Sequence, residues 1–111
     1  MIKRFSVVFL KSAKEFILSM DKKTQTKIFY VVDKASFTND PKLFKKLDDE
    51  IWEFRVKYKS FQIRLLAFWD KRDGKNTLVI STHGFIKKTD KVPKNEIDKA
   101  IDDMKRYFKN Q

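Results

Sequence analysis

The segment IWEFRVKY, residues 51–58, alternates between apolar and charged side chains and decides the fold class. From its second residue on, apolar residues take the even positions and charged residues the odd ones, which is typical of a β-strand with one buried face. Glu53, Arg55 and Lys57 are then expected on the opposite face of the sheet. Residues 61–69 form the next expected strand, and because two residues separate it from the first, we expect an antiparallel hairpin.

The same reasoning extends toward the C-terminus. Asp73-Gly74 is a strong turn signal, and residues 77–86 after it are predicted to form a third strand of the meander. Pro93 suits the first turn of a helix, and apolar residues then recur on one side of that helix as far as Phe108. A C-terminal helix is therefore expected.

Toward the N-terminus, residues 2–9 contain a short aromatic and β-branched run that predicts a strand. The S-x-x-E spacing of residues 12–15 predicts a capping box for a first helix. Asp21 is expected to cap a second helix, which ends at residues 39–41 because a proline disfavours helix before it. The two helices would form a hairpin.

The expected architecture is a single α+β domain over residues 1–111. It has one strand, a helical hairpin, an antiparallel sheet of three further strands and a C-terminal helix. The helices are expected on one face of the sheet, which leaves Arg55, Lys57 and Arg64 on the bare face.

Composition narrows the classes of function. With 26 Lys+Arg against 15 Asp+Glu, the net charge of +11 favours a polyanionic partner: nucleic acid, an anionic membrane surface or an acidic protein. The chain has no cysteine and a single histidine, so we expect no disulfide framework, no metal site and no cofactor. No segment approaches the ~20 apolar residues that span a bilayer, and no signal-peptide cleavage site follows the first strand, so we expect a cytoplasmic protein with no membrane partner.

The basic sheet face is the first candidate site. Arg55 and Lys57 are two residues apart on one strand, and the hairpin brings Arg64 near them. Guanidinium groups in this arrangement can bind phosphate oxygens in bidentate fashion. The alternative is a solvated sheet face on which Glu53 pairs some of the charges. An exposed Arg64 also predicts that Arg64→Ala changes stability by no more than about 0.5 kcal/mol.

The segment from His83 to Lys88 is the second candidate site. A histidine with a pKa of about 6.5 suits proton transfer near neutral pH, and the adjacent Gly84 permits close approach of another backbone or a ligand. A single histidine on a strand is more often a hydrogen-bonded structural residue, so both interpretations stay open.

The lysine-rich side of the two N-terminal helices can follow a nucleic-acid backbone, although solvent-facing lysines are the commoner interpretation. These lysines are Lys14, Lys22, Lys23, Lys27 and Lys34. The aromatic residues of the same helices are expected in the core rather than on a base-stacking surface. They are Phe16, Phe29, Tyr30 and Phe37.

Several short motifs, in order and spacing, resemble a known family. They are Phe44-Lys45-Lys46-Leu47, residues 51–56, Arg64, His83 to Thr89, Pro93, Glu96-Ile97 and Ala100. Over residues 43–108 the chain resembles the RelE/ParE superfamily of bacterial toxin–antitoxin toxins, and most closely its phage-derived, HigB-type branch. The resemblance implies a RelE-like fold with a twisted antiparallel sheet. It also implies a ribosome-dependent mRNA endoribonuclease, in which the ribose 2′-hydroxyl attacks the adjacent phosphate without a metal.

The resemblance implies roles for individual residues. Arg55 and Arg64 would hold and stabilise the scissile phosphate, and Lys87 would contact the phosphate or the leaving group. His83 would transfer a proton, with Lys87 as the alternative. Further lysines would contact the RNA, namely Lys57, Lys59, Lys88 and Lys91. Tyr107 would either stack on a base or pack within the protein.

Toxins of this kind have a cognate antitoxin, which in this branch is usually a helix-turn-helix protein. The toxin would meet mRNA in the ribosomal A site, and operator DNA only through the antitoxin complex. Two other functions stay open: a ParE-like inhibitor of DNA gyrase and a non-catalytic nucleic-acid-binding module. The Arg55 and Arg64 pair, together with His83 and Lys87, favours the nuclease, because an inhibitor of gyrase needs no phosphate clamp on its sheet.

Overall fold

A computed structural model describes residues 2–74 and 77–110 of the chain. These residues form five strands and three helices. The strands are β1 (Ser6–Phe9), β2 (Phe44–Lys46), β3 (Trp52–Tyr58), β4 (Phe61–Trp69) and β5 (Leu78–Ile86), and the helices are α1 (Lys11–Leu18), α2 (Lys22–Phe37) and α3 (Lys94–Lys109). The strand order in the single sheet is β1-β5-β4-β3-β2.

The α+β class is confirmed, with two differences in the sheet. β1 pairs with β5 in parallel, with Ser6 opposite Leu78, so the sheet is mixed rather than purely antiparallel. An unpredicted strand, β2, forms the other edge and pairs with β3, with Phe44 opposite Phe54. β2 escaped prediction because three residues are too short to show alternation.

The helix caps were predicted in part. Asp21 caps α2 as expected, since its carboxylate accepts a hydrogen bond of 2.8 Å from the backbone N–H of Thr24. The capping box at residues 12–15 is wrong, because α1 begins at Lys11 and its N-cap residue, Leu10, makes no side-chain cap. Ser12 therefore lies within the first turn of α1.

The helices cover both faces of the sheet, so the expectation of one bare face is wrong. α1 and α2 pack on one face, over a core that includes Ile28, Val32, Phe54, Val56 and Leu65. α3 packs on the other face, over Ile51, Leu66, Phe68, Ile80 and Ala100. Since side chains alternate along a strand, Arg64 shares the α3 face with Leu66 and Phe68. None of the helices in the described residues is long and apolar enough to cross a membrane.

Two of the aromatic residues expected in the core lie outside it. Phe29 is 47% exposed, at the edge of the sheet against Phe9, and Tyr30 is 56% exposed, on the outer side of α2. Phe16 packs against the core as expected.

Candidate functional site

A shallow groove of about 190 Å³ opens on the α3 face of the sheet, at the β3–β4 hairpin. Arg55 of β3 lies directly opposite Arg64 of β4, and Lys57 lies opposite Gln62. Opposite residues in an antiparallel pair share a face, so β3 and β4 bring these four side chains together. The groove, called the basic groove below, is lined by Lys42, Arg55, Lys57, Gln62 and Arg64.

Glu53 joins the two arginines at the floor of the basic groove. Its Oε1 lies 3.1 Å from Arg64 Nε, and its Oε2 lies 3.9 Å from Arg55 Nε. Arg64 also donates from Nη1 to the carbonyl oxygen of Ile63 at 3.1 Å and from Nη2 to Gln62 Oε1 at 3.4 Å. One carboxylate thus faces two guanidinium groups, which leaves this cluster with a net positive charge.

The expectation that Arg64 and Glu53 are exposed is wrong. Arg64 is 3% exposed and Glu53 is 5% exposed. Burial lowers the pKa of Arg64, and the negative charge of Glu53 opposes that shift in part. An arginine stays charged in proteins, so a buried guanidinium depends on its carboxylate partner. The arginine available to a ligand is Arg55, whose side chain is 33% exposed.

Lys87 is not one of the lining residues, but its backbone pairs with Gln62, which is. Its backbone N–H donates to the carbonyl oxygen of Gln62 at 2.7 Å, one residue beyond the end of β5. Because Ile63 pairs with Ile86, the register places Lys87 opposite Gln62 and on the groove side of the sheet. Lys88 and Lys91 follow in the exposed segment before α3.

Lys59 does not join the basic groove. It occupies the β3–β4 turn with a φ of 55°, and its Nζ lies 3.9 Å from Asp21 Oδ2 at the N-terminus of α2. The Lys59 side chain therefore extends toward the helical hairpin, on the face opposite Arg55.

His83 is buried beneath α3. It is 3% exposed, its Nε2 lies 2.9 Å from Glu96 Oε1, and its Nδ1 lies 3.0 Å from Thr82 Oγ1. Burial lowers the pKa of His83, and the hydrogen bond to Glu96 opposes that shift in part. Both ring nitrogens are engaged and none of the groove residues is a partner, which favours the structural interpretation of this histidine.

Gly84 permits a close approach, as its residue type predicted, but the neighbour is a core side chain. A Cβ at Gly84 would collide with the ring of Phe16 from α1 and would lie 2.6 Å from a methyl carbon of Leu65. The glycine therefore lets α1 pack closely on β5.

Within the described residues, no group of three or more His, Asp or Glu side chains is placed to hold a metal ion.

The comparison with family models finds a match. The model of the phage-derived protein Gp49-like family (DUF891) matches residues 15–105, which is most of the chain. The chain belongs to the Gp49-like family. This family is related to toxin–antitoxin toxins of the RelE/HigB type. Comparison with the curated proteins finds no match.

Some residues of interest in this Gp49-like chain were not identified from sequence. Gln62 and Lys42 line the basic groove. Gln62 is two residues before Arg64, so strand alternation would have found it, whereas Lys42 lies outside any strand and gave no signal.

Asp70 is another residue that sequence reasoning missed, and it explains Tyr107. The Tyr107 hydroxyl donates to Asp70 Oδ2 at 2.8 Å, and its ring packs against Phe68 with a centroid distance of 5.3 Å. Arg72 also binds Asp70, with Nη2 at 2.6 Å from Oδ2. The hydrogen bonds from Arg72, and then that from Tyr107, hold the pKa of Asp70 well below its ordinary range. Tyr107 therefore packs within the Gp49-like fold and anchors the end of α3.

Proposed function

We propose that this Gp49-like chain is the toxin of a toxin–antitoxin pair and that it cleaves mRNA on the ribosome, with the RNA backbone in the basic groove. The observation that carries the proposal is the pair of guanidinium groups that share the single carboxylate of Glu53. The surplus positive charge of Arg55 and Arg64 adds to that of Lys57, so the groove is suited to a phosphate group.

In the proposed reaction the ribose 2′-oxygen attacks the adjacent phosphorus, the bond from phosphorus to the 5′-oxygen of the next nucleotide breaks, and a 2′,3′-cyclic phosphate forms. The proton of the 2′-hydroxyl passes to water, and the departing 5′-oxygen takes up a proton. The rate depends on in-line alignment and on neutralisation of the charge that builds on the phosphate oxygens. Arg55 is partly exposed and is assigned to bind those oxygens directly. Arg64, buried behind it, contributes its charge and holds Glu53 in place.

Proton transfer is assigned to Lys87 rather than to His83. The two ring nitrogens of His83 are already bonded to Thr82 and Glu96, which supports a role in fixing α3. The Lys87 ammonium, on the groove side of the sheet, can protonate the departing 5′-oxygen. Lys57, Lys88 and Lys91 are assigned to contacts with the flanking RNA.

The proposed partners are mRNA in the ribosomal A site and a cognate antitoxin of helix-turn-helix type. A net charge of +11 suits a partner with an acidic segment. Operator DNA would be bound through the toxin–antitoxin complex, and the protein would act in the cytoplasm.

The test is induced expression in a bacterium followed by primer extension on translated mRNAs. Wild type is compared with Arg55→Ala and with Lys105→Ala, an exposed lysine of α3 as the matched control. We expect wild type and Lys105→Ala to cleave mRNAs only while they are being translated. Arg55→Ala should lower cleavage by about 100-fold or more, because removal of one preorganised charge from a transition state costs that much.

Three results would contradict the proposal. Growth arrest with damaged DNA and intact mRNA would indicate a gyrase inhibitor. RNA binding without any cleavage would indicate a non-catalytic module. Undiminished cleavage by Arg55→Ala would show that the basic groove is not the active site.

A further inference from the structure

A second cation-rich surface lies on the other face of the sheet. A cleft of about 440 Å³ opens between the outer side of α2 and the end of β3. Its lining, called the tyrosine–lysine cleft, is Lys22, Lys23, Thr26, Lys27, Tyr30 and Tyr58. Tyr58 is at an even position of β3, so it faces the helical hairpin, whereas Lys57 faces the basic groove.

The tyrosine–lysine cleft combines aromatic walls with a positive rim, which Asp21 at the N-terminus of α2 neutralises only in part. The lining residues include three lysines and, within the described structure, no carboxylate. Tyr30 is 56% exposed, and its ring contacts lysine side chains rather than the core. The proposed RNA contacts, in the groove across the sheet, leave this surface unexplained.

The arrangement around Tyr30 suits carboxylates better than nucleic-acid bases. Lys27 Nζ lies 5.5 Å and Lys34 Nζ 6.0 Å from the centre of the Tyr30 ring. A stacking base would have to displace these ammonium groups from the ring. The cations of the cleft lining are lysines, which act as point charges and can pair with carboxylates without a bidentate geometry.

We propose that the tyrosine–lysine cleft is a docking site for an acidic protein segment. Glu or Asp side chains of the segment pair with Lys22, Lys23 and Lys27, and an apolar side chain packs against the edges of the Tyr30 and Tyr58 rings, so the ammonium groups over the rings stay in place. Because the cleft and the basic groove are on opposite faces of β3, the segment binds without filling the groove. The inference rests on the charge and shape of the cleft and not on the nuclease activity.

The test uses a fluorescein-labelled synthetic peptide of repeated Glu-Glu-Leu units, with anisotropy measured at physiological ionic strength. Lys27→Glu alters the cleft, and Lys57→Glu alters the basic groove by the same change in net charge. We expect Lys27→Glu to weaken binding about tenfold and Lys57→Glu less than about twofold, since a reversed charge repels the partner only where the two meet. Tyr30→Ser, which leaves the charge unchanged, should also weaken binding.

If Lys27→Glu and Lys57→Glu weaken peptide binding equally, the proposal is overturned, because the peptide would then respond to the overall charge of the protein. A labelled oligouridylate of equal length distinguishes the two surfaces. We expect its binding to fall with Lys57→Glu and not with Lys27→Glu. If Lys27→Glu abolishes oligouridylate binding, the cleft is a nucleic-acid surface and the docking site is refuted. If Lys57→Glu leaves oligouridylate binding unchanged while Lys27→Glu still weakens peptide binding, the proposed function is refuted and the docking site is supported.

Discussion

Removal of the Arg64 side chain is expected to destabilise the fold strongly. The substitution Arg64→Ala leaves Glu53, which is 5% exposed, without the guanidinium that lies 3.1 Å from it. Loss of one partner from a buried ion pair costs about 3–5 kcal/mol, because the other charge stays buried. Arg55 remains 3.9 Å from the same carboxylate, so we expect the lower end of this range, about 3 kcal/mol.

Urea unfolding, followed by circular dichroism, measures this loss. The midpoint should fall while the m-value stays unchanged, because the surface exposed on unfolding is nearly the same. At about 4 °C per kcal/mol for a domain of this size, Tm should fall by about 12 °C. Arg55→Ala is the matched control. Its side chain is 33% exposed and its ion pair is longer, so the loss should be at most about 1 kcal/mol.

A double-mutant cycle separates the ion pair from packing. Glu53→Gln removes the buried charge. In the Glu53→Gln background, Arg64→Ala should therefore lower the free energy of unfolding by about 1–3 kcal/mol less than it does in wild type. If Arg64→Ala stays within about 0.5 kcal/mol of wild type, Arg64 behaves as a surface residue and the buried cluster described above is wrong.

Three further predictions concern other parts of the fold. Burial lowers the pKa of His83 in the folded protein, so as pH falls below about 6.5 the unfolded chain takes up a proton at His83 before the folded protein does. Wild type should therefore lose stability below that pH. His83→Gln should lose less stability between pH 7.5 and 5.5 in thermal melts, and parallel curves for the two proteins would refute this linkage. Gly84→Ala should cost about 1–3 kcal/mol in urea unfolding, since the new methyl group meets the Phe16 ring, and a neutral substitution would contradict that packing. Tyr107→Phe removes a donor from buried Asp70, so it should cost about 1–3 kcal/mol and raise the pKa of that carboxyl, which NMR titration measures; an unmoved pKa would show that the hydrogen bond is absent.

The strand pattern of residues 52–58 predicted β3 and its hairpin because alternation is a property of neighbours along the chain. The pattern could not rank the charged residues of that face by exposure. Glu53 is paired opposite Leu66, within the part of the sheet that α3 covers, whereas Lys57 lies near the exposed hairpin. Whether a charged residue of β3 is buried depends on how near it lies to α3, and tertiary packing sets the position of α3.

The position of α3 shows a similar limit. The apolar stripe of α3 showed that one side of the helix is buried, but it does not indicate against which face of the sheet that side packs. A signal was present in β4, where residues 65–68 are apolar without interruption. Strands with such runs are covered on both faces, so helices on both sides of the sheet were predictable.

The pairing of β1 with β5 had no local signal. These strands are separated by most of the chain, and a short apolar strand is compatible with several neighbours. The environment of His83 is equally nonlocal, because Glu96 approaches it from α3 across 13 residues of sequence. The strand residues of the basic groove were predictable, whereas Lys42 and the partners that hold the groove side chains in place were not.

The claim that the basic groove holds RNA phosphates is tested most directly by the salt dependence of RNA binding. For single strands, each phosphate contact contributes about 0.7 to the slope of log K against log salt concentration. The affinity of a single-stranded RNA should be measured over a range of salt for wild type, Lys57→Ala and Lys105→Ala. We predict that Lys57→Ala reduces the slope by about 0.7 while Lys105→Ala leaves it unchanged. Equal slopes for all three proteins would contradict the claim.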